Sequence, residues 1–460
     1  MREPGDGRRI PADAVLLPLG EGRLLVSPGH AVFCRIAAAD VAGVEQVLAA
    51  GGELAAALEG GAVPTELLAA LDRHGFFGPP RPPEDDPPTV GLQLTNACDS
   101  ACTYCCTNSG DARVAEVTFE RMCAVVDQIE DALGSRARVA LLGGEPLLVP
   151  WATELAARVL DRGLALTLFS NGMVLARAPT LAARVAALAR RGMEVRISLP
   201  GPNADRCDGA AGVPRFDLAL EGLHALHRAG GSAIVDLMLL PEDVDALVAD
   251  LPALRRRLPP DTTLTFGVIY RGGRETGDHI FDSAAALEAA LDRVAFEAGE
   301  AIPAPEPSPL AFRREGCDCV LGQSINVRSD GALFGCFKME ERLGHLDRLS
   351  IGEAVRQLRE APQRATSLPR CADCPLATLC GGGCRSENLL LTGVADEPVC
   401  DTWRVRVLCE LLAEDRVAAL HWPTEHLLAE AHRRGISAPA ALTPQRPSTH
   451  LADPALEKSS

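Results

Sequence analysis

The sequence predicts an α/β fold, and two observations carry the prediction. From Val90 onward, short aliphatic runs alternate with amphipathic stretches, the mark of stacked βα units around a parallel sheet. Apolar residues fill 47% of the 460 positions but aromatics only 4%, so the interior has to be built from Leu, Val, Ile and Ala, which suits helices packed on sheets. At about 150 residues per domain, this length asks for roughly three units.

The first predicted domain is residues 1–78. Short strands over Ala14 to Leu19, Leu24 to Ser27 and Ala31 to Ile36 surround a Gly20-Glu21-Gly22 turn, and helical patterns follow over Val44 to Leu48, Glu53 to Glu59 and Thr65 to His74. Residues 79–89 are rich in proline and read as a stiff extended linker. The core spans 90–300, with six strands at Val90 to Leu94, Arg138 to Leu142, Leu164 to Phe169, Glu194 to Leu199, Ala233 to Leu240 and Leu264 to Ile269. Amphipathic stretches such as Thr118 to Ala132 and Phe216 to Ala229 separate them. Right-handed crossovers curl such a sheet into a partial, TIM-like (β/α)6 barrel, with functional residues at the C-terminal ends of the strands. Residues 301–410 are rich in Cys, Gly and Pro and need metal to hold shape; 411–460 read as a C-terminal helix and a flexible tail.

A formal charge of −17 repels phosphate backbones, so nucleic acid is not an expected partner. No apolar run reaches the roughly 18 residues needed to span a bilayer, and the first residues lack a signal-peptide apolar region. The expected location is therefore the cytoplasm, with no membrane contact. In such a chain, clustered cysteines hold metal more often than they form disulfides. Of sixteen cysteines, twelve fall within 98–106 and 317–400, while Cys34, Cys123, Cys207 and Cys409 read as small buried residues.

Cys98, Cys102 and Cys105 form a C-x3-C-x2-C triplet just past the first core strand. Three thiolates can hold three irons of a cubane and leave the fourth open, whereas electron carriers use four cysteines. A zinc knot or unligated thiols would be the bland reading of an isolated triplet. The next strand, however, ends in Gly143-Gly144-Glu145-Pro146, where glycines let backbone approach a ligand and an acid can take an ammonium group.

Together these motifs resemble the radical S-adenosylmethionine (radical SAM) superfamily over about Val90 to Ile269. The resemblance implies a 4Fe-4S cluster on Cys98, Cys102 and Cys105 that chelates and reductively cleaves S-adenosyl-L-methionine to a 5'-deoxyadenosyl radical. It also implies that Tyr104 packs near adenine, that Ser170-Asn171-Gly172 holds the methionine carboxylate or ribose, and that Ser198 binds ribose. Pro200 stands where the family often has Asp. Cys106 reads as a bystander or a competing ligand.

Further on come Cys319, Gly331-x4-Cys336, Cys371-x2-Cys374-x5-Cys380-x3-Cys384 and Cys400, with His345 the only histidine between 280 and 420. Thiolate-only sites favour iron-sulfur or zinc. The framework is similar to the SPASM extension of peptide- and protein-modifying radical enzymes. That resemblance implies two auxiliary clusters, one on Cys319, Cys336 and Cys384 with Cys317 as candidate fourth ligand, the other on Cys371, Cys374, Cys380 and Cys400. Sulfatase-maturing members carry an acid after the G-x4-C cysteine; Phe337 stands there, which demotes that role.

Residues 14–78 resemble the small winged-helix domain that captures leader peptides by strand addition. The expected function is thus a radical SAM peptide maturase, installing a crosslink, thioether or epimerised centre in a precursor peptide and fed by a reductant such as flavodoxin or ferredoxin. Modification of a folded protein or small molecule is the alternative enzyme, and a zinc or iron-sulfur scaffold the non-enzyme. No catalytic acid or base stands out.

Overall fold

Small-residue turns and alternating aliphatic runs produce two compact units in the computed structural model. It describes residues 8–398, less 20–21, 28, 31, 55–62, 80–87, 112–115, 261, 270–271, 276, 278, most of 282–315, 340, 361, 373 and 375–376. Most of the proline linker, part of the helix expected over 53–59, Cys400, Cys409 and the C-terminal helix and tail lie outside the described residues.

One unit takes in the described parts of 1–80, 309–317 and 364–460; the other takes in those of 81–308 and 318–363. In the first, β1 (Val15–Leu19), β2 (Gly22–Ser27) and β3 (Val32–Ile36) form an antiparallel meander in the order β1-β2-β3. Helices Val41–Ala49 and Thr65–Arg73 supply Val44, Val47, Leu68 and Leu71 to a core shared with Ile10, Leu25, Cys34 and Ile36. Strands then helices is the expected order for this part.

The second unit is built on β4 (Thr89–Gln93), β5 (Arg138–Leu142), β6 (Ala165–Ser170), β7 (Met193–Leu199), β8 (Ile234–Leu239) and β9 (Thr263–Val268). All six lie parallel, each beside its successor, as the sequence pattern predicts. Caps fix the intervening helices: the Thr118 hydroxyl accepts from Arg121 N–H ahead of Phe119–Leu133, and Gly134 closes it at φ 73°.

Three strands escape the sequence reading: β10 (Ser324–Val327), β11 (Ala332–Phe334) and β12 (Arg342–His345). At three or four residues each they are too short to show a period. β10 pairs in parallel with β4, so residues 318–363, expected to belong with the cysteine-rich segment, extend the core sheet. The strand order runs from β12 to β9. Among the described residues no helix is long and apolar enough to cross a membrane.

The helix-packed face of the sheet is apolar, and on β6 and β7 the opposite face is partly exposed among the described residues. On β7, Met193, Val195, Ile197 and Leu199 are buried in the helix-packed core, while Glu194 is exposed and Arg196 and Ser198 are half-buried on the other face. Parallel sheets with both faces covered read as continuous apolar runs. The alternation on β7 instead marks a polar, partly exposed face at this strand.

Candidate active site

The loop after β4 is fixed at its base before any ligand is considered. Glu116 accepts from the Thr95 hydroxyl (2.8 Å) and the Asn96 N–H (2.6 Å), and Cys98 N–H donates to the Gly110 carbonyl (2.8 Å) while Gly110 N–H returns to Asn96 (2.9 Å). Cys98, Cys102 and Cys105 lie half-buried in the loop so closed. Arg274, from beyond β9, braces it by donating to the carbonyls of Cys102 (2.8 Å) and Ser109 (2.6 Å). Among the described residues no three His, Cys, Asp or Glu side chains are already gathered at single-ion distance. A cubane spreads its thiolates more widely than one ion does.

Cys98 and Cys105 are not equivalent. Burial raises Cys98 to about 11, with Glu145, Cys102 and Asp99 adding to the effect. At Cys105 burial pushes upward, but the Thr107 hydroxyl, the Ser109 N–H (3.3 Å from the sulfur) and Arg274 outweigh it and lower the thiol. Cys106 is held at about 11 by burial and by Cys105, with Lys338 and Cys336 also within electrostatic reach.

Gly143 and Gly144 let two stretches of the chain's own backbone approach closely. A Cβ on Gly144 would lie 2.1 Å from the Ala97 carbonyl oxygen, and one on Gly143 2.7 Å from that of Thr95. Both glycines are needed so that this turn can dock on the cysteine loop, where Gly144 and Glu145 N–H donate to Thr95 and Ala97 (both 2.8 Å). Pro146 opens a short 3-10 turn, Pro146–Leu148.

Glu145 is fully buried. Its carboxylate accepts from Leu147 N–H (3.0 Å), the Ser170 hydroxyl (2.9 Å) and Asn171 N–H (2.7 Å). Burial nevertheless dominates those three bonds and lifts the group to about 7. Asn171 ties the β6 turn to the cysteine loop through Asp99 (2.6 Å) and accepts from Met173 N–H; Gly172 turns the chain at φ 81°.

Ser198, ending β7, does not stand alone. Arg215, 2% exposed, donates to the Ser198 hydroxyl (2.8 Å) and carbonyl and to the Asn171 carbonyl (3.5 Å), and places Nη1 4.0 Å from the Cys102 sulfur. Its Nε finds no hydrogen-bond partner among the described residues. Tyr104 is half-buried; burial and then the Cys102 thiol push its phenol upward. Its ring meets His279 edge-on at 6.4 Å, and that imidazole bridges the Thr103 hydroxyl (3.0 Å) and Glu242.

The later cysteines divide between the two units. In the sheet-bearing unit, a Cβ on Gly335 would lie 2.7 Å from the Cys319 carbonyl, so the Cys319 backbone runs beside Cys336. In the other, Cys371 and Cys374 pack with Ala365, Leu368 and Ala377, and Gly381, Gly382 and Gly383 all adopt positive φ between Cys380 and Cys384. Cys317 and Cys384 are buried.

Residues 92–251 match the family model of the radical SAM superfamily. That stretch, about a third of the chain, is similar to this superfamily. Over 164 residues it is 29% identical to mycofactocin maturase MftC of Mycolicibacterium smegmatis, a match covering 35% of this chain and 40% of the relative, so it spans well under two thirds of the first curated relatives. PqqA peptide cyclase of Rhodopseudomonas palustris is 28% identical over 356 residues, covering 68% of this chain and 86% of that one. Among solved structures, Streptococcus suis SuiB bound to S-adenosylmethionine aligns at a TM-score of 0.51 with 15% identity, covering 85% of this chain and 98% of SuiB. Native anSMEcpe with bound AdoMet gives 0.53 and 15%, covering 75% of this chain and 99% of that one.

In this region the structure brings Cys98, Cys102, Tyr104, Glu145, Ser170, Asn171 and Ser198 into one network. Sequence reasoning missed four of its members: Glu116, Arg215, Arg274 and His279. Arg215 follows Pro214 at the start of helix Phe216–Arg228, and nothing in that position distinguishes it from a surface arginine until the helix packs.

Proposed function

We propose that the chain is a radical SAM peptide maturase that holds a 4Fe-4S cluster on Cys98, Cys102 and Cys105 and uses S-adenosyl-L-methionine to modify a ribosomally made precursor peptide. When bound there, the cluster with its cofactor supplies a deoxyadenosyl radical able to abstract a hydrogen atom. The observation that carries the reading is a pair of opposite, buried groups flanking the triplet. Glu145 acts electrostatically on Cys98, and Arg215 reaches toward the Cys102 sulfur with its Nε unpaired. An amino acid's ammonium and carboxylate are the complement of that pair, so these residues fit the methionine end of the cofactor. Ser170 and Asn171 hold Glu145, and Ser198 holds Arg215, in the poses this requires. Tyr104 offers its ring on the Cys102 side for adenine.

Support for a peptide substrate comes from the curated relatives, whose names describe a maturase and a peptide cyclase. The three-stranded meander of residues 15–36 presents β3 as an edge to which a leader strand can add. Cys317, Cys319, Cys336 and Cys384 hold one auxiliary cluster in this reading and Cys371, Cys374, Cys380 and Cys400 the other, with a ferredoxin- or flavodoxin-type reductant in the cytoplasm.

Anaerobic reconstitution with iron, sulfide, reductant and S-adenosylmethionine tests the reading. It predicts 5'-deoxyadenosine, about twelve irons per chain for three cubanes, and a mass change in a co-expressed precursor peptide. Intact clusters without deoxyadenosine would falsify it. Deleting residues 1–78 separates leader capture from the chemistry: precursor affinity is expected to fall while deoxyadenosine formation persists.

A further inference from the structure

The polar face of the sheet carries a second feature directly below the turns after β5 and β6. Register places Gln93 opposite Leu142 and Phe169 opposite Arg196; Leu141 pairs with Leu168, so Leu142 and Phe169 are the next step of the same ladder. These four side chains therefore form one row across β4 to β7. Gln93 leads into the cysteine loop, Leu142 immediately precedes Gly143, Phe169 immediately precedes Ser170, and Arg196 lies two residues before Ser198.

Two members of the row are in states that a closed structure avoids. Phe169 is 40% exposed, although parallel sheets are ordinarily covered on both faces. Gln93 is only 4% exposed, yet its Nε2 finds no hydrogen-bond partner among the described residues. A buried amide without a partner costs stability and marks a place where a ligand completes the bonding. Arg196 cannot be that ligand's counter-ion. It sits 5.7 Å from the Phe169 ring centroid, and its guanidinium is committed to Asp236 (2.8 Å), Thr265 (3.0 Å) and Glu194 (3.4 Å).

We infer that this row is the substrate subsite and takes one residue of a peptide, its apolar side chain resting on Leu142 and Phe169 and its main-chain amide pairing with the Gln93 carboxamide. The inference rests on the peptide-maturase reading and assigns the side-chain class at that same site. Because a peptide unit offers both a donor and an acceptor, the pairing holds whichever way the Gln93 amide is turned. Within the row the one cation, Arg196, is already paired with Asp236 and Glu194, so an anionic side chain finds no free counter-ion there. The row lies one strand position beneath the turns that hold the cofactor, which brings the bound residue to the place where a radical is made.

The test uses full-length protein, reconstituted anaerobically and saturated with S-adenosylmethionine, with N-acetyl-phenylalanine methylamide and N-acetyl-aspartate methylamide as probes, observed by ligand-detected NMR. The phenylalanine probe is expected to bind, and the aspartate probe about tenfold more weakly. Phe169→Ala should weaken the phenylalanine probe by roughly three- to tenfold, the scale of a lost aromatic contact. Gln93→Leu should weaken it similarly while leaving the melting temperature equal or higher, since it removes an unpaired buried amide. Cofactor affinity should not change in either variant. Equal affinity for the two probes, no binding of the phenylalanine probe, or unchanged binding in both variants would overturn the subsite. Failure of the wild type to modify any co-expressed peptide would instead sink the maturase reading, and it leaves the probe result standing.

Discussion

Replacing Glu145 by Gln changes one charge at the centre of the site and keeps its shape, so its effect can be worked from the environment of the carboxyl group. Burial lifts Glu145 from 4.5 to about 7. At about 1.4 kcal/mol per tenfold, the ionised carboxylate carries a cost of about 3 kcal/mol that the unfolded chain does not share. The sign follows from which state loses its proton first. The folded value lies above the unfolded one, so the unfolded chain ionises first as pH rises. Stability from this group is therefore greatest below 4.5, falls between 4.5 and about 7, and is fully lost above that; between pH 5 and 8 the fall is about 2.5 kcal/mol. Gln has no such slope. It does lose at least one of the bonds from Leu147, Ser170 and Asn171, because an amide nitrogen cannot accept, a cost of about 1–3 kcal/mol that is the same at both pH values. Comparing variant minus wild type at pH 8 with the same difference at pH 5 removes that constant. Thermal unfolding of the cluster-free protein should show Glu145→Gln gaining about 3–5 °C on wild type between the two pH values. An identical difference at both, or a relative loss at pH 8, would mean that the site stabilises the carboxylate and that burial is not the controlling effect.

Gly144→Ala puts a methyl group 2.1 Å from the Ala97 carbonyl, so the cysteine loop has to move; a loss of about 1–3 kcal/mol in thermal unfolding, together with reduced iron at the triplet, is expected. Arg196→Met strands the nearly buried Asp236 and should cost about 3 kcal/mol, whereas adding Asp236→Leu should recover most of it, a double-variant cycle that denaturation can follow. Cys98→Ala should remove about four irons and all deoxyadenosine formation while the visible absorption of the other clusters persists; cofactor cleavage in that variant would refute the ligand assignment.

How much of this was legible in the sequence depended on range. Strands β4 to β9 could be read because each is an aliphatic run of five to seven residues bounded by turns, and the helix from Phe119 could be read from its Thr118 cap. β10 to β12 could not: their three or four residues gain strand character only by extending a sheet whose other strands lie far earlier in the chain. The Gly-Gly-Glu-Pro motif was visible, but the reason for its glycines was not, because the carbonyls they approach belong to Thr95 and Ala97. Arg215, Glu116 and Arg274 have no local signature at all. Each acquires its role from a partner that folding brings near, 17 to 172 residues away in sequence for the contacts with Ser198, Asn96, Thr95 and Cys102.

Those long-range bonds explain why the site is built from four separate turns and not from one loop. Glu145 fastens the end of β5 to the end of β6; Asn171 and Asp99 fasten β6 to the cysteine loop; Arg215 fastens β7, β6 and the cysteine loop together. A loop closed only at its base could place three thiolates in many arrangements. With each turn anchored to two others, the position of Cys102 relative to Ser170 and Ser198 is over-determined, so the groups that face a ligand need little reorganisation when it arrives. The same anchoring requires two opposite ionisable groups to stay buried and apart, with Glu145 raised toward neutrality and the Arg215 Nε unpaired. In the reading proposed above, a zwitterion set between them meets the buried carboxyl with its ammonium and the Arg215 Nε with its carboxylate, which favours a ligand carrying both charges over one carrying either alone.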